Sequence, residues 1–421
     1  MWRGLVICQK FIRNMADFFI DVKDSPYNAS GNGIIDDTNS IQQALDNAGN
    51  FGGGIVLLPA GTYKILGTLS IPPYVTLQGV FTSPAVYVPN KGTILLAYSG
   101  RGNSSGVPFI SLAGFNSSIV GLSIVYPEQN DPLNIIPYPW TIRGGSPKVN
   151  CDNLSIQNVL LLNPYLGVDF GTFQCGRHLI RGLYGQPLQI GILIDQCYDV
   201  GRIEDVHFWP FWNETALTSF ISNNGFALVL KRSDWQIVHN FFAFGYHVGV
   251  HFAKGAGNHG TNGQFTNLNF DQTDVGLDIY AIQEPGINIS NLNIVGGTGK
   301  YNQKICRAIW AHDSEDETGP LSIQNGSFWG IFNDEVILWQ KEGALLQIAS
   351  SVFRDWRKGG PAIKITKGRA TIQGNLFKDL LGISVDIGLS ADRVIVIGNQ
   401  LAGNPIKTHG RNNERLIWPN L

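Results

Sequence analysis

The chain is short of charge, of cysteine and of long apolar runs. Charged residues make up 15% of the 421, and the formal net charge is −2. That excludes a basic field for a nucleic-acid backbone. No apolar run approaches membrane-spanning length, so no membrane partner is expected. Five cysteines (Cys8, Cys151, Cys175, Cys197, Cys306) are too few and too scattered for a disulfide framework, and no Cys-x-x-Cys pair suggests zinc. Buried free thiols are expected, with Cys175 and Cys197 as the one candidate pair because they follow neighbouring strands. No dense aspartate cluster suggests calcium, and neither a metal nor a cofactor is expected. Residues 1–14 set Arg3, Lys10 and Arg13 around a short apolar piece, a poor signal peptide. Patterned sequence begins after Met15, so residues 1–16 read as an unstructured extension.

What the chain has is repetition. A six-residue phrase, apolar-x-small polar-x-x-apolar, returns along its last three-quarters. It reads Ile156-Gln157-Asn158-Val159-Leu160-Leu161, then Ile203-Glu204-Asp205-Val206-His207-Phe208 and Phe265-Thr266-Asn267-Leu268-Asn269-Phe270. It returns from Ile289 with Asn291, from Ile323 with Asn325 and from Ile372 with Gly374. Looser copies centre on Gly121, Gly182, His239, Ser350 and Gly398. The step between copies is roughly 28 residues, a period that signals a solenoid. Apolar residues alternate with period two, so the pieces are strands. The prediction is an all-β, single-stranded parallel β-helix, with residues 17–421 as one domain. Its 50 glycines follow no short period, as turns between short strands require.

Near the start, Asp36-Asp37-Thr38 is an N-cap signal, with Ile41, Ala44, Leu45 and Ala48 following at helical spacing until Gly49. A helix over 38–47 would cover the raw end of the first coil, giving a cap over 17–64 and coils from about 65 to 421. The run from Asp21 through Asp36-Asp37-Thr38, Ile41-Gln42, Gly53-Gly54 and Pro59-Ala60-Gly61-Thr62-Tyr63 resembles the N-terminal signature of the pectate-lyase-like superfamily. That group includes polygalacturonases, rhamnogalacturonases, polysaccharide lyases, epimerases and phage tailspikes. The resemblance implies a capped, right-handed β-helix and says little about chemistry.

Each coil carries a second strand about ten residues after the phrase. Its outward column is expected to read Arg143, Asp169, Asp195, Lys231, His251, Asp278 with Tyr280, Trp310 with His312, and Lys364. Three long loops, residues 126–139, 209–224 and 296–305, occupy the same turn of the solenoid beside this column. Stacked insertions build walls, and two of these carry aromatics: Tyr126 and Tyr138, then Trp209, Phe211 and Trp212. A neutral surface bearing aromatics suits a polysaccharide or oligosaccharide.

In polygalacturonases the equivalent strands carry Asn-Thr-Asp, Asp-Asp, Gly-His-Gly and Arg-Ile-Lys, and none of these is intact here. The nearest echo is Gly245-Tyr246-His247, and Asn223-Asn224 stand where aspartates would be expected. Glycoside hydrolysis of a polysaccharide is the expected chemistry, with β-elimination as the alternative, and hydrolysis needs two carboxyls. Asp169 and Asp195, about 8 Å apart by strand geometry, and Glu128 on the first loop are the candidates, with Glu214 weaker. Arg143, Lys231, His251, Asp278, Trp209, Trp212, Tyr246, His247 and Trp310 are candidate substrate-binding residues. For β-elimination, Lys231, His251 or Arg143 would serve instead as base or as carboxylate partner. A non-catalytic glycan-binding protein, like the tailspikes and adhesins on this scaffold, is the third reading. A monomer and a homotrimer both stay open. Action on a polymer points to an extracellular setting without an export signal to support it.

Overall fold

Every copy of the six-residue phrase is a bend. Its third residue takes the left-handed conformation: φ is 52° at Asn158, 55° at Asn267, 57° at Asn291, 56° at Asn325 and 63° at Gly374. Asparagine and glycine tolerate that region at little cost, whereas branched residues do not. The flanking apolar residues, Ile156 and Val159 for example, are fully buried on both sides of the bend. One loose copy is corrected by this geometry. Asn240 (φ 56°), not His239, takes the bend, and the His239 Nδ1 instead lies 2.7 Å from Thr266 Oγ1.

The computed structural model describes residues 19–81, 91–209, 217–297, 307–356, 360–379, 381–410 and 415–420. The extension at 1–16, Cys8, Trp212, Glu214, Cys306, residues 210–216 of the second long loop and 298–305 of the third lie outside these. Cys151, Cys175 and Cys197 are buried thiols that form no disulfide among the described residues.

The chain divides into two compact units, residues 1–188 with 210–217 and residues 189–209 with 218–421. In the first, the phrase strands Ser118–Val125, Ser155–Leu162 and Leu179–Gly185 pair in parallel, stacking Ile119, Ile156 and Ile180. The second strands Leu69–Ile71, Ile110–Leu112, Trp140–Gly144 and Leu166–Phe170 form their own parallel ladder. The helix Thr38–Asn50 belongs to this unit and buries Ile41, Ala44, Leu45 and Ala48. Its entry differs from the expected cap. The Asp37 carboxylate turns back to accept the Ser30 and Gly31 N–H groups, and Asp36 accepts from Thr38. Nor does Gly49 end the helix, which continues to Asn50 before Gly52 and Gly53.

In the second unit the phrase strands stack Ile203, Val238, Phe265, Ile289, Ile323, Ile348, Ile372 and Val396 in parallel register. The second strands run Ile190–Ile194, Phe226–Leu230, Val248–Phe252, Val275–Ile279, Arg307–Ala311, Ile337–Trp339, Ile363–Ile365, Val385–Ile387 and Ile406–Thr408, again in parallel. Two ladders of strands wound around an apolar interior make a parallel β-helix.

Identical residues stack where the coils are most regular. Phe328, Phe353 and Phe377 lie face to face at 4.6 and 4.8 Å. Beside them, Asn375 Oδ1 accepts from the Ser351 N–H and Asn399 Oδ1 from the Asn375 N–H, each at 2.9 Å and each a step of 24 residues. Phe353→Ala removes the middle ring of the stack. It is expected to cost about 3–5 kcal/mol, read as a lower urea midpoint, since rigid neighbours cannot close the cavity.

Candidate active site

The outward row of the second-strand ladder in the second unit reads Leu193, Val229, His251, Asp278, Trp310, Leu338, Lys364. Three of the expected column residues therefore sit on consecutive coils. Asp195 and Lys231 fall two residues later, at the strand ends, in the row that Tyr280 and His312 share.

Asp278 is the centre. Its Oδ2 lies 2.7 Å from His251 Nδ1 and its Oδ1 2.6 Å from His312 Nε2. Burial alone would raise this carboxyl. The hydrogen bonds from the two imidazoles outweigh it and hold the group below its ordinary value of 3.8. An imidazole that donates to Asp278 from one ring nitrogen presents its other nitrogen away from the carboxylate. The His312 ring is stacked on Tyr280 at 4.0 Å and on Trp310 at 4.1 Å, which fixes its plane. Trp310 is held by its Nε1 to Gln340 Oε1 at 3.1 Å, with the Arg307 guanidinium 4.6 Å from its ring.

A second carboxylate lies farther along. Glu335 accepts from Arg307 at 2.9 Å and Lys364 at 3.0 Å. Burial pushes its carboxyl up, but its own backbone N–H and these two cations bring it below its ordinary value of 4.5. Both lowered carboxyls contribute stability that is present above their unfolded values and lost as pH falls through the folded ones. The urea stability of wild type relative to Asp278→Asn should therefore begin to fall as pH drops through about 4, the unfolded carboxyl range, and go on falling until pH is below the lowered folded value.

The expected carboxyl pair takes other roles. Asp169 is corrected outright: its side chain has 0% exposure, whereas a solvent-facing position was expected. Its Oδ2 accepts from Arg143 Nε at 2.7 Å, and Oδ1 takes the Gly171 and Thr172 N–H groups at 2.9 and 2.8 Å. Asp195 Oδ1 receives the backbone N–H groups of Gln196, Arg232 and Ala256, so it organises a turn. Glu128 is 38% exposed and accepts from Tyr138 Oη at 2.8 Å, with Arg101 at 3.4 Å.

Tyr246 is also corrected, because its ring is wholly buried against Phe208 and cannot line a groove. His247 is at the surface, with Nδ1 2.9 Å from Asp274 Oδ2. Trp209 packs at the loop base with Phe242 and Phe244. Lys231 has no ion-pair partner among the described residues. Strand geometry puts its Cα roughly 8 Å from that of His251, one ladder step across and two residues along. Phe226 and Asp274 escaped the sequence reading because they stand in turns or at strand starts, where alternation assigns no face. Among the described residues no group of three His, Cys, Asp or Glu side chains is placed to hold a metal. No helix among them is long and apolar enough to cross a membrane.

Residues 19–118 match the family described as Rhamnogalacturonase A/epimerase, pectate lyase-like. The match covers the first quarter of the chain, and parallel ladders of strands run through both units. This chain is a parallel β-helix protein. No curated protein matches it. The same β-helix is found in the A-module of mannuronan C-5 epimerase AlgE6 from Azotobacter vinelandii. That module is 16% identical with a TM-score of 0.56, over 96% of this chain and 99% of that one. Gene product 12 of bacteriophage phi29 is 14% identical with a TM-score of 0.64, over 99% of this chain and 57% of that one. A DFA-IIIase mutant from Arthrobacter chlorophenolicus A6 is 11% identical with a TM-score of 0.54, over 94% of this chain and 99% of that one. At these identities the β-helix is what is shared, and function has to be argued from the site.

Proposed function

We propose that this β-helix is a polysaccharide-processing enzyme that abstracts a proton from a uronate sugar and breaks the neighbouring glycosidic bond by β-elimination. The observation that carries this reading is Asp278 held between two imidazoles. An ionised carboxylate taking the Nδ1–H of His251 leaves Nε2 as a base facing outward, the arrangement by which a carboxylate orients a catalytic histidine. Lys231, without an ion-pair partner among the described residues, supplies a cation close by for the sugar carboxylate, whose neutralisation acidifies the C5 proton. Tyr280 and Trp310 offer ring faces on either side of His312.

Hydrolysis by a carboxyl pair finds less support. It needs one carboxyl kept protonated. Asp278 and Glu335 are both shifted the other way, and Asp169 cannot reach a glycosidic oxygen from its buried position. A polymeric sugar substrate also agrees with the description of the matched family and with the mannuronan epimerase among the proteins of like fold.

A panel of uronate and neutral polysaccharides, read for reducing ends and ultraviolet absorbance together, tests the reading. Reducing ends with rising absorbance are expected, because elimination leaves a conjugated unsaturated uronate. Reducing ends without absorbance would establish hydrolysis and return attention to Glu128 and Asp195. Binding with neither signal would make the protein a glycan-binding module.

A further inference from the structure

A second histidine–carboxylate pair stands on the same two coils as the first. The strands Val248–Phe252 and Val275–Ile279 pair with Val248 opposite Val275 and His251 opposite Asp278. The residues just before these strands, His247 and Asp274, therefore also face each other, and their side chains meet at 2.9 Å. Each pair uses Nδ1 of the imidazole and Oδ2 of the carboxylate. Each leaves Nε2 without a hydrogen bond among the described residues. On the preceding coil one ring, Phe226, makes edge contacts with both imidazoles, 5.9 Å from His247 and 5.4 Å from His251.

The two pairs differ in how the negative charge is used. Asp278 divides its charge between His251 and His312. Asp274 is 9% exposed at its side chain, its Oδ1 is buried without a hydrogen-bond partner among the described residues, and its Oδ2 faces His247. Asp274 thus stands opposite a single imidazole among the described residues, whereas Asp278 stands between two. The geometry points to His247 as the proton donor to the leaving glycosidic oxygen, with Asp274 as its countercharge. This assignment rests on the elimination reading of the neighbouring site.

The step balances with no further reactant. His251 Nε2 takes the C5 proton, and the C5–H electron pair forms the C4–C5 double bond. The C4–O4 bond breaks, and its oxygen takes the proton from His247 Nε2 to become the hydroxyl of the released chain. Both imidazoles return to their starting states by exchange with water.

Deuterium exchange separates the two histidines. Polygalacturonate and polymannuronate, each incubated with protein in D2O, are followed for cleavage by absorbance and for C5–H exchange by NMR. His247→Gln should lower cleavage roughly 100-fold or more while exchange stays within about threefold of wild type, because proton abstraction is intact and only the leaving group lacks its acid. His251→Gln should lower both by roughly two to four orders of magnitude. Equal loss of cleavage and exchange in His247→Gln, or unchanged cleavage, overturns the assignment while leaving the base at His251 standing. Wild-type protein that neither cleaves nor exchanges either polymer overturns the elimination reading, and this assignment with it.

Discussion

His251→Gln is expected to lower turnover by roughly two to four orders of magnitude with little change in substrate affinity or in the unfolding midpoint. Glutamine keeps a donor near Asp278 and much of the volume, but it has no lone pair of useful basicity. Asp278→Asn should be about as damaging, for a different reason. The carboxylate offers one acceptor to each imidazole, at 2.7 and 2.6 Å. An amide offers one acceptor and one donor, so either His251 or His312 must turn its lone pair inward. Where that imbalance falls on His251, the base is lost, an effect worth about 10⁴ in rate at a comparable histidine–aspartate pair. Initial rates from ultraviolet absorbance on the polymer found by the panel provide the measurement. Wild-type rates in both variants would remove this cluster from the chemistry.

Asp169→Ala is expected to act on stability. The Asp169 carboxylate is sealed from solvent and receives three donors, one of them the Arg143 guanidinium. Its removal leaves a largely covered cation and two backbone N–H groups unpaired. Breaking a buried pair in this way costs about 3–5 kcal/mol, and partial solvation of Arg143 brings the expectation to about 2–4 kcal/mol. Urea unfolding reads it directly, as a lower midpoint. A midpoint equal to wild type, together with lost activity, would put Asp169 back among the groups that meet substrate.

These two aspartates show what the sequence conveys and where it stops. The β-helix is legible because its signals are local. A left-handed bend accepts asparagine or glycine, and the residues flanking it must be apolar, so every coil writes the same phrase. The outward column is legible too, since alternation along Val248–Phe252 or Val275–Ile279 assigns a face to each residue. Alternation does not say what stands opposite on the next coil. Asp169 and Asp278 look alike along their own strands. One meets an arginine and the N–H groups of its own turn; the other meets two imidazoles. That difference depends on the register between strands some 25 to 35 residues apart, which varying loop lengths obscure. Tyr246 misled for a related reason. In the turn before a strand the chain changes direction, and a tyrosine in a glycine-flanked motif turns into the core while the adjacent His247 stays out. The Asp274 partner of that histidine lies in a comparable turn, where no periodicity applies.

The polar ladder of the last coils steps by 24 residues, Ser351 to Asn375 to Asn399, and each backbone N–H bonds the next asparagine with the same geometry. A block of that length begins and ends at equivalent points of the ladder. If an in-frame deletion or tandem duplication removed or added such a block, each asparagine would still find an asparagine, and Phe353 would still find a phenylalanine. The gene can therefore change the length of this part of the molecule in whole coils by slippage, without new core residues having to arise first. The acid–base residues, whose partners differ from coil to coil, have no such freedom. Length variation among descendants of this sequence should accordingly collect after Gly343, and coils bearing His247 to His312 should be inherited intact.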